Sequence, residues 1–266
     1  MKKAICAVMA HADDIELAAG GTVAKHVHEG YRVLYGLLTR CNSGWTYFSH
    51  EEGSVYRPSL EINPRRFAEA QEAAKVFGAE FWYGDLLENC YTRKDGQLLT
   101  PSYTGAEREG AEPDDIPEGT PVLVAAAAGL WPDHPVVDEL AEVLIEWEPE
   151  LVIGQAVQNG NPDHFAAALV VARAWKKAAE KVDIGPYWMP VSPPNPERFQ
   201  FPPVLSVDEI VDVSGHEELA LKALACHKSQ GGHLQAEDGM LHRKWEYYGG
   251  QTGTKSAEGF KLIYQK

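Results

Sequence analysis

The apolar run AICAVM at residues 4–9 is followed closely by AAGGTVAKHVHE at 18–29, with apolar positions at helical spacing. Past Gly30 comes a second apolar run, YRVLYGLLT at 31–39. A near-continuous apolar strand is one covered on both faces, and two of them joined through a helix in under 40 residues make a βαβ unit. That unit commits the chain to a parallel sheet with right-handed crossovers and helices over both faces. At 266 residues, 44% of them hydrophobic, the chain can bury one substantial core. The expected fold is therefore a single α/β domain over residues 1–266 with a mostly parallel sheet.

Further along, RRFAEAQEAAKVFG at 65–78 is rich in helix formers and ends with Gly78 at a C′ position, and EFWYGD then reads as a short strand. Residues 90–120 hold many Gly, Pro, Asp and Thr and read as an excursion or lid, while VLVAAAA at 122–128 is compatible with a strand or a buried helical turn. PVVDELAEVLIEW predicts an amphipathic helix, LVIG at 151–154 a strand, and FAAALVVARAWKKAAEKV from residue 165 a long helix starting just after NPDH. The Pro-rich stretch PYWMPVSPPNPERFQFPP at 186–203 is expected to wrap the surface beside the cleft, because proline opposes both regular helix and central strand. SVDEIVDVSG predicts another short strand and HEELALKALACHKSQ a last helix.

Composition excludes several classes of partner. With 39 acidic against 24 basic residues and a formal charge of −15, the chain opposes nucleic acid and anionic membrane surfaces, both of which reward clustered Lys and Arg. Nothing approaches the ~18 consecutive apolar residues of a membrane span, and MKKAICAVMA meets its acidic cluster too soon for a secretory segment, so the expectation is cytoplasmic. Cys6, Cys41, Cys90 and Cys226 form no CxxC pair, which points to reduced thiols rather than a disulfide framework or thiolate zinc cluster.

In an open parallel sheet, ligands bind beyond the carboxyl ends of the strands. His11, Asp13 and Asp14 occupy one such end, after the first strand; Asn161, Asp163 and His164 occupy another, after LVIG. One His and one carboxylate from the first loop plus one His from the second form a ligand set used by zinc in hydrolysis and by non-haem iron. One acid is then left over, and a metal hydrolase needs a base near the attacking water. The plainer reading of each loop alone is a helix cap by Asp13 or Asp14 and an exposed helix-start His164. The nearby WPDHP at 131–135 is assigned that structural role, with Asp133 as N-cap of the helix that follows. Gly20 and Gly21 do not form G-x-G-x-x-G, and small residues there allow close helix packing instead.

AHADDIELAAGGT resembles the first signature of the LmbE-like, or PIG-L, de-N-acetylases, (P/A)HPDDxExxxGGT, with Ala12 in place of Pro. NPDH at 161–164 resembles the family's HPDH, and Arg66, Glu69 and Gly78 its R-x-x-E helix, with Asp85 as the acid after the next strand. LKALACHKSQ resembles KxxAxxxHxSQ, and Glu258-Gly259-Phe260 the late E-x-F. The resemblance implies a Rossmann-like domain in which His11, Asp14 and His164 hold one divalent metal, usually zinc, and Asp13 is the general base. It further implies hydrolysis of the N-acetyl group of a GlcNAc-like sugar or glycoconjugate, in a protein that is often a homo-oligomer. In the family, by the same resemblance, the aspartate matched by Asp163 forms a charged pair near the oxyanion or leaving group with a histidine whose place Asn161 takes here. Asn can donate a hydrogen bond but transfers no proton at neutral pH. Arg66, Asp85 and His227 are candidates for substrate contact; the plainer readings are an ion pair for Arg66 and a core position for His227. TRCNSGW at 39–45 lacks the acid that the family places after its second strand. A metal-dependent amidase for non-sugar amides and a catalytically reduced sugar- or metal-binding relative are the alternatives.

Overall fold

The computed structural model of the chain describes residues 3–41, 45–49, 53–56, 59–88, 91–92, 98–99, 123, 135–157, 161–194, 205–237 and 239–265. Strands β1 (Ala4–Met9), β2 (Arg32–Thr39) and β5 (Glu80–Leu86) run parallel, and β8 (Leu151–Ile153) and β9 (Tyr187–Val191) extend the parallel array on the other side of β1. The sheet order is β10-β11-β9-β8-β1-β2-β5, with β11 (Ala257–Tyr264) antiparallel between β9 and β10 (Glu209–Asp212). Short hairpins β3–β4 (Trp45–Ser49, Gly53–Tyr56) and β6–β7 (Tyr91–Thr92, Leu98–Leu99) stand outside it. The chain moves from β1 outward through β2 to β5 and then returns to the opposite side of β1 with β8, so the switch point lies between β1 and β8, where such sheets bind ligands.

β1 shows why both faces had to be apolar. Ala4, Cys6, Val8 and Ala10 pack into a core with α3 (Val136–Trp147) and α4 (Pro162–Ala179), whereas Ile5, Ala7 and Met9 face the layer of α1 (Asp14–His28), α2 (Ser59–Phe77), α5 (Glu217–Leu224) and α7 (Met240–Thr252). All six residues of β1 are buried. α2 ends as expected: Gly78 has φ +64°, its amide donates to the Lys75 carbonyl, and the Ala79 amide reaches back to Ala74 at 2.9 Å.

Several expectations shift. The 186–203 stretch is not all surface wrap, since YWMPV forms β9 inside the sheet. Pro190 is tolerated there because the ladder to β8 stops at Ile153 opposite Trp188, so the edge at Pro190 has no β8 partner needing an N–H. Tyr248 secures the strand's end by donating its hydroxyl to the Val191 carbonyl. The long helix starts at Pro162, so Asp163 and His164 lie in its first turn rather than before it. The last predicted helix stops at Leu224, and a 3₁₀ turn, Lys228–Gln230, carries the end of HKSQ; α6 (Gly232–Glu237) and α7 follow. Pro135, not Asp133, holds the N-cap position of α3. Asp133, most of 90–120, and 122–128 apart from Leu123 lie outside the described residues.

Candidate metal and catalytic site

β1 and β8 are neighbours, and the Gln155 side chain ties their ends by accepting from the Ala10 amide at 2.7 Å. His11 follows at once. Asp13 takes the N-cap position of α1 with φ +88°, a left-handed conformation that Asp tolerates better than most residues, and its side chain makes no cap hydrogen bond. Asp14, the first helical residue, accepts instead from the His11 amide at 2.9 Å. On the other loop, Asn161 caps α4 by accepting from the Asp163 amide at 2.9 Å, and Pro162 opens the helix, which places His164 in its first turn, toward His11.

The two loops meet. His11 Nδ1 lies 3.1 Å from Asp14 Oδ2 and 3.2 Å from His164 Nε2, and His164 Nε2 lies 3.3 Å from Asp14 Oδ1. The ligand atoms of these three residues all fall within 4.8 Å of one another. Two tetrahedral ligands at about 2.0–2.1 Å from one ion are about 3.3 Å apart, so the donor set fits a zinc-sized divalent ion. Its chemistry fits too: two imidazole nitrogens and one carboxylate turn toward one point. Behind His11, Asp163 Oδ2 stands 3.4 Å from Nε2, an outer carboxylate that orients the ring with Nδ1 inward.

The electrostatics separate the two adjacent aspartates. Burial works to raise Asp14, but His164 and His11 outweigh it and hold its carboxyl well below the usual carboxylate range. Burial raises Asp13, the Asp14 charge adds to that, and Arg66, His227 and His11 offset only part, leaving Asp13 at about 6. Among the described residues Asp13 has no hydrogen-bond partner for its carboxylate, whereas Asp14 is engaged on both oxygens. Burial opposes charge on His11, yet Asp14, Asp163 and Glu88 hold its pKa well above the ordinary imidazole value. A centre this rich in carboxylate is one that a cation neutralises.

Around the centre, Arg66 is buried and donates from Nη1 to Glu88 at 3.2 Å and from Nη2 to the Ala12 carbonyl at 3.3 Å. Its ionic partner is therefore Glu88, while Glu69 accepts from the amide and hydroxyl of Ser229 and so joins α2 to the HKSQ turn. His227 is fully buried with Nε2 3.3 Å from Glu16, an ion-pair contact rather than an aligned hydrogen bond. Burial works against charge on His227, but Glu16 and then Asp13 keep its pKa above the ordinary value. Asp85 is not brought to the cluster. A register shift opposite Leu37–Thr39 inserts an extra residue into β5, and Asp85, at φ +58°, turns outward into a two-pronged pair with Arg40. Three residues later the chain delivers Glu88, 4.0 Å from His11 Nε2. Sequence reasoning missed Glu88 and Gln155; an acid just past the strand was a weak signal, and only the bulge decided which one faces in.

These features define a class, a Rossmann-like sheet with a His–Asp–His cluster across the ends of its two central parallel strands. Residues 6–175 match the family described as PIG-L, GlcNAc-PI de-N-acetylase, and the chain belongs to that family. Among curated relatives, the 1D-myo-inositol 2-acetamido-2-deoxy-alpha-D-glucopyranoside deacetylase of Tsukamurella paurometabola is 27% identical over 245 residues, covering 84% of this chain and 77% of that protein. Among solved structures, GalB, the 4-carboxy-2-hydroxymuconate hydratase of Pseudomonas putida, superposes with TM-score 0.64 at 19% identity, covering 100% of this chain and 98% of that one. The N,N'-diacetylchitobiose deacetylase of Pyrococcus horikoshii does so with TM-score 0.59 at 16% identity, covering 98% and 84%. At such identities the structural likeness establishes the fold alone.

Proposed function

We propose that the protein is a metal-dependent N-deacetylase that cleaves the acetamide of a GlcNAc-like sugar or glycoconjugate, releasing acetate and a free amine. The observation that carries this reading is the convergence of His11, Asp14 and His164 beside a half-buried carboxylate, Asp13, that is raised in pKa and makes no helix-cap hydrogen bond. The deacetylase name of the curated relative supports the substrate class.

His11, Asp14 and His164 would hold the ion, zinc in the first instance, which when bound supplies Lewis acidity for the amide carbonyl and lowers the pKa of water. Asp163 keeps the His11 ring oriented. Asp13 takes a proton from the attacking water as its oxygen bonds to the carbonyl carbon. When the carbon–nitrogen bond breaks, the same proton returns from Asp13 to the departing amine. Of the other candidates among the described residues, Asn161 uses its side-chain oxygen to cap α4, and His227 is sealed in the interior against Glu16.

The test is release of acetate and primary amine from N-acetylglucosamine, its α-glycosides and diacetylchitobiose, set against simple aliphatic acetamides, with protein loaded with Zn²⁺. Turnover of the sugars well above the simple amides is expected. Equal turnover of both would identify a general amidase, and no turnover of either a catalytically reduced relative.

A further inference from the structure

Helix α1 is broken at Ala19, whose φ of −144° and ψ of 17° lie outside the helical region. In an unbroken α-helix the Gly21 amide would pair with the Leu17 carbonyl and the Thr22 amide with that of Ala18. In this protein all four groups have a charged partner. Glu258 of β11 accepts from Gly21 N at 3.0 Å through Oε1 and from Thr22 N at 2.8 Å through Oε2. Lys244 of α7 donates from Nζ to Leu17 O at 2.8 Å and to Ala18 O at 2.9 Å. The carboxylate thus meets the amides that open the rear segment and the ammonium meets the carbonyls that close the front one. Each has the sign that complements a helix end.

The surroundings are built for this split. Glu258 is 1% exposed and takes a third donor, Trp245 Nε1, at 2.9 Å. Gly21 has no room for a Cβ, which would stand 2.9 Å from Val213 Cγ2 and 3.1 Å from Glu258 Oε1. The front segment, Asp14–Ala18, carries Asp14 between the two imidazoles and Glu16 against His227 and Tyr35. Its direction therefore sets where the Asp14 carboxylate stands.

We propose that Lys244 and Glu258 are positioning residues: by dividing α1 at Ala19, this charge pair aims its front turn so that Asp14 faces His11 and His164. Neither touches the reacting atoms. The inference rests on the reading of those three residues as metal ligands, and the experiment below separates the two.

Lys244→Met/Glu258→Gln removes both charges together and lets the helical ladder close. The expected result is a loss of Co²⁺ affinity of roughly ten- to hundredfold, as for other residues that orient ligands. The visible absorption of bound Co²⁺ should change, while far-UV circular dichroism stays near that of the unmodified protein. Lys244→Arg keeps donors for the two carbonyls and is expected to retain both affinity and spectrum. Glu258→Asp, with its carboxylate retracted by one methylene, should weaken Co²⁺ binding in the same direction as the double variant. Unchanged affinity and spectrum in the double variant and in Glu258→Asp would overturn the proposal. So would a crystal structure of the double variant with Ala19 still broken and Asp14 unmoved. If the unmodified protein takes up no Co²⁺, the metal reading fails instead. The path of α1 in the double variant then decides this proposal alone, continuity through Ala19 supporting it and a persistent break sinking it.

Discussion

Asp13 and Asp14 are chemically the same side chain one position apart, and their surroundings push them in opposite directions. Against the cost of burial, the His164 and His11 imidazoles hold Asp14 as a carboxylate, whereas burial beside that charge raises Asp13 to about 6. Carboxylates whose pKa values are driven apart are suited to different tasks, one to stay ionised and one to exchange a proton. Asp13→Asn is therefore expected to bind one Zn²⁺ per chain like the unmodified protein while kcat falls by about 10²–10⁴-fold, the usual range for losing a general base. His164→Ala should lose both metal and turnover. Elemental analysis alongside acetate release reads both; a metal-free Asp13→Asn protein would show that the division between base and ligand is drawn in the wrong place.

At the scale of elements, the start of α4 explains Asn161 without assigning it chemistry. Its side-chain oxygen accepts from the Asp163 amide, Pro162 follows, and the turn presents His164 to the cluster and Asp163 to the back of His11. Asn161→Ala is expected to lower stability by about 1 kcal/mol in urea unfolding, the ordinary value of an N-cap, with only a modest change in turnover. A large loss of turnover at unaltered stability would give Asn161 a direct part in the reaction. α1 is the second telling element: its apolar spacing marks a helix, yet the break at Ala19 comes from charges supplied by α7 and β11.

Across the whole molecule, residues from the last third of the chain close the α1 layer. Glu217, at the start of α5, accepts from the Gly215 amide at 2.7 Å and from the Ser256 hydroxyl at 2.7 Å, tying the turn after β10 to the approach to β11. Burial works to raise its carboxyl, but the Ser256 hydroxyl and the amides of Glu217 and Gly215 outweigh it and hold the pKa below the usual Glu value. A carboxyl depressed in the folded state stabilises above its unfolded pKa of about 4.3, and that contribution fades as pH falls through the lower folded value. Glu217→Gln should therefore be less stable than the unmodified protein at pH 7, and the gap should narrow below about pH 4.3. Urea unfolding at pH 7 and at acid pH checks this, and a gap that widens toward acid would contradict the sign. No helix among the described residues is long and apolar enough to cross a membrane.

Local patterns were enough to read the parallel core, because continuous apolar runs such as AICAVM report burial on both faces and helical spacing reports a single buried face. They were also enough to bring His11, the Asp13–Asp14 pair and His164 to adjoining strand ends, since a parallel sheet gathers its ligand-binding loops at the carboxyl ends of its strands, whereas the choice of Asp14 over Asp13 came from the family resemblance. What neighbouring residues do not encode is which distant group fills a given place. A one-residue bulge in β5 chose Glu88 over Asp85, the end of the β8 ladder admitted Pro190 to β9, and packing set Lys244 and Glu258 against a turn 227 and 237 residues earlier in the chain. Those choices follow from register and close packing in three dimensions, where a shift of one residue turns a side chain to the other face.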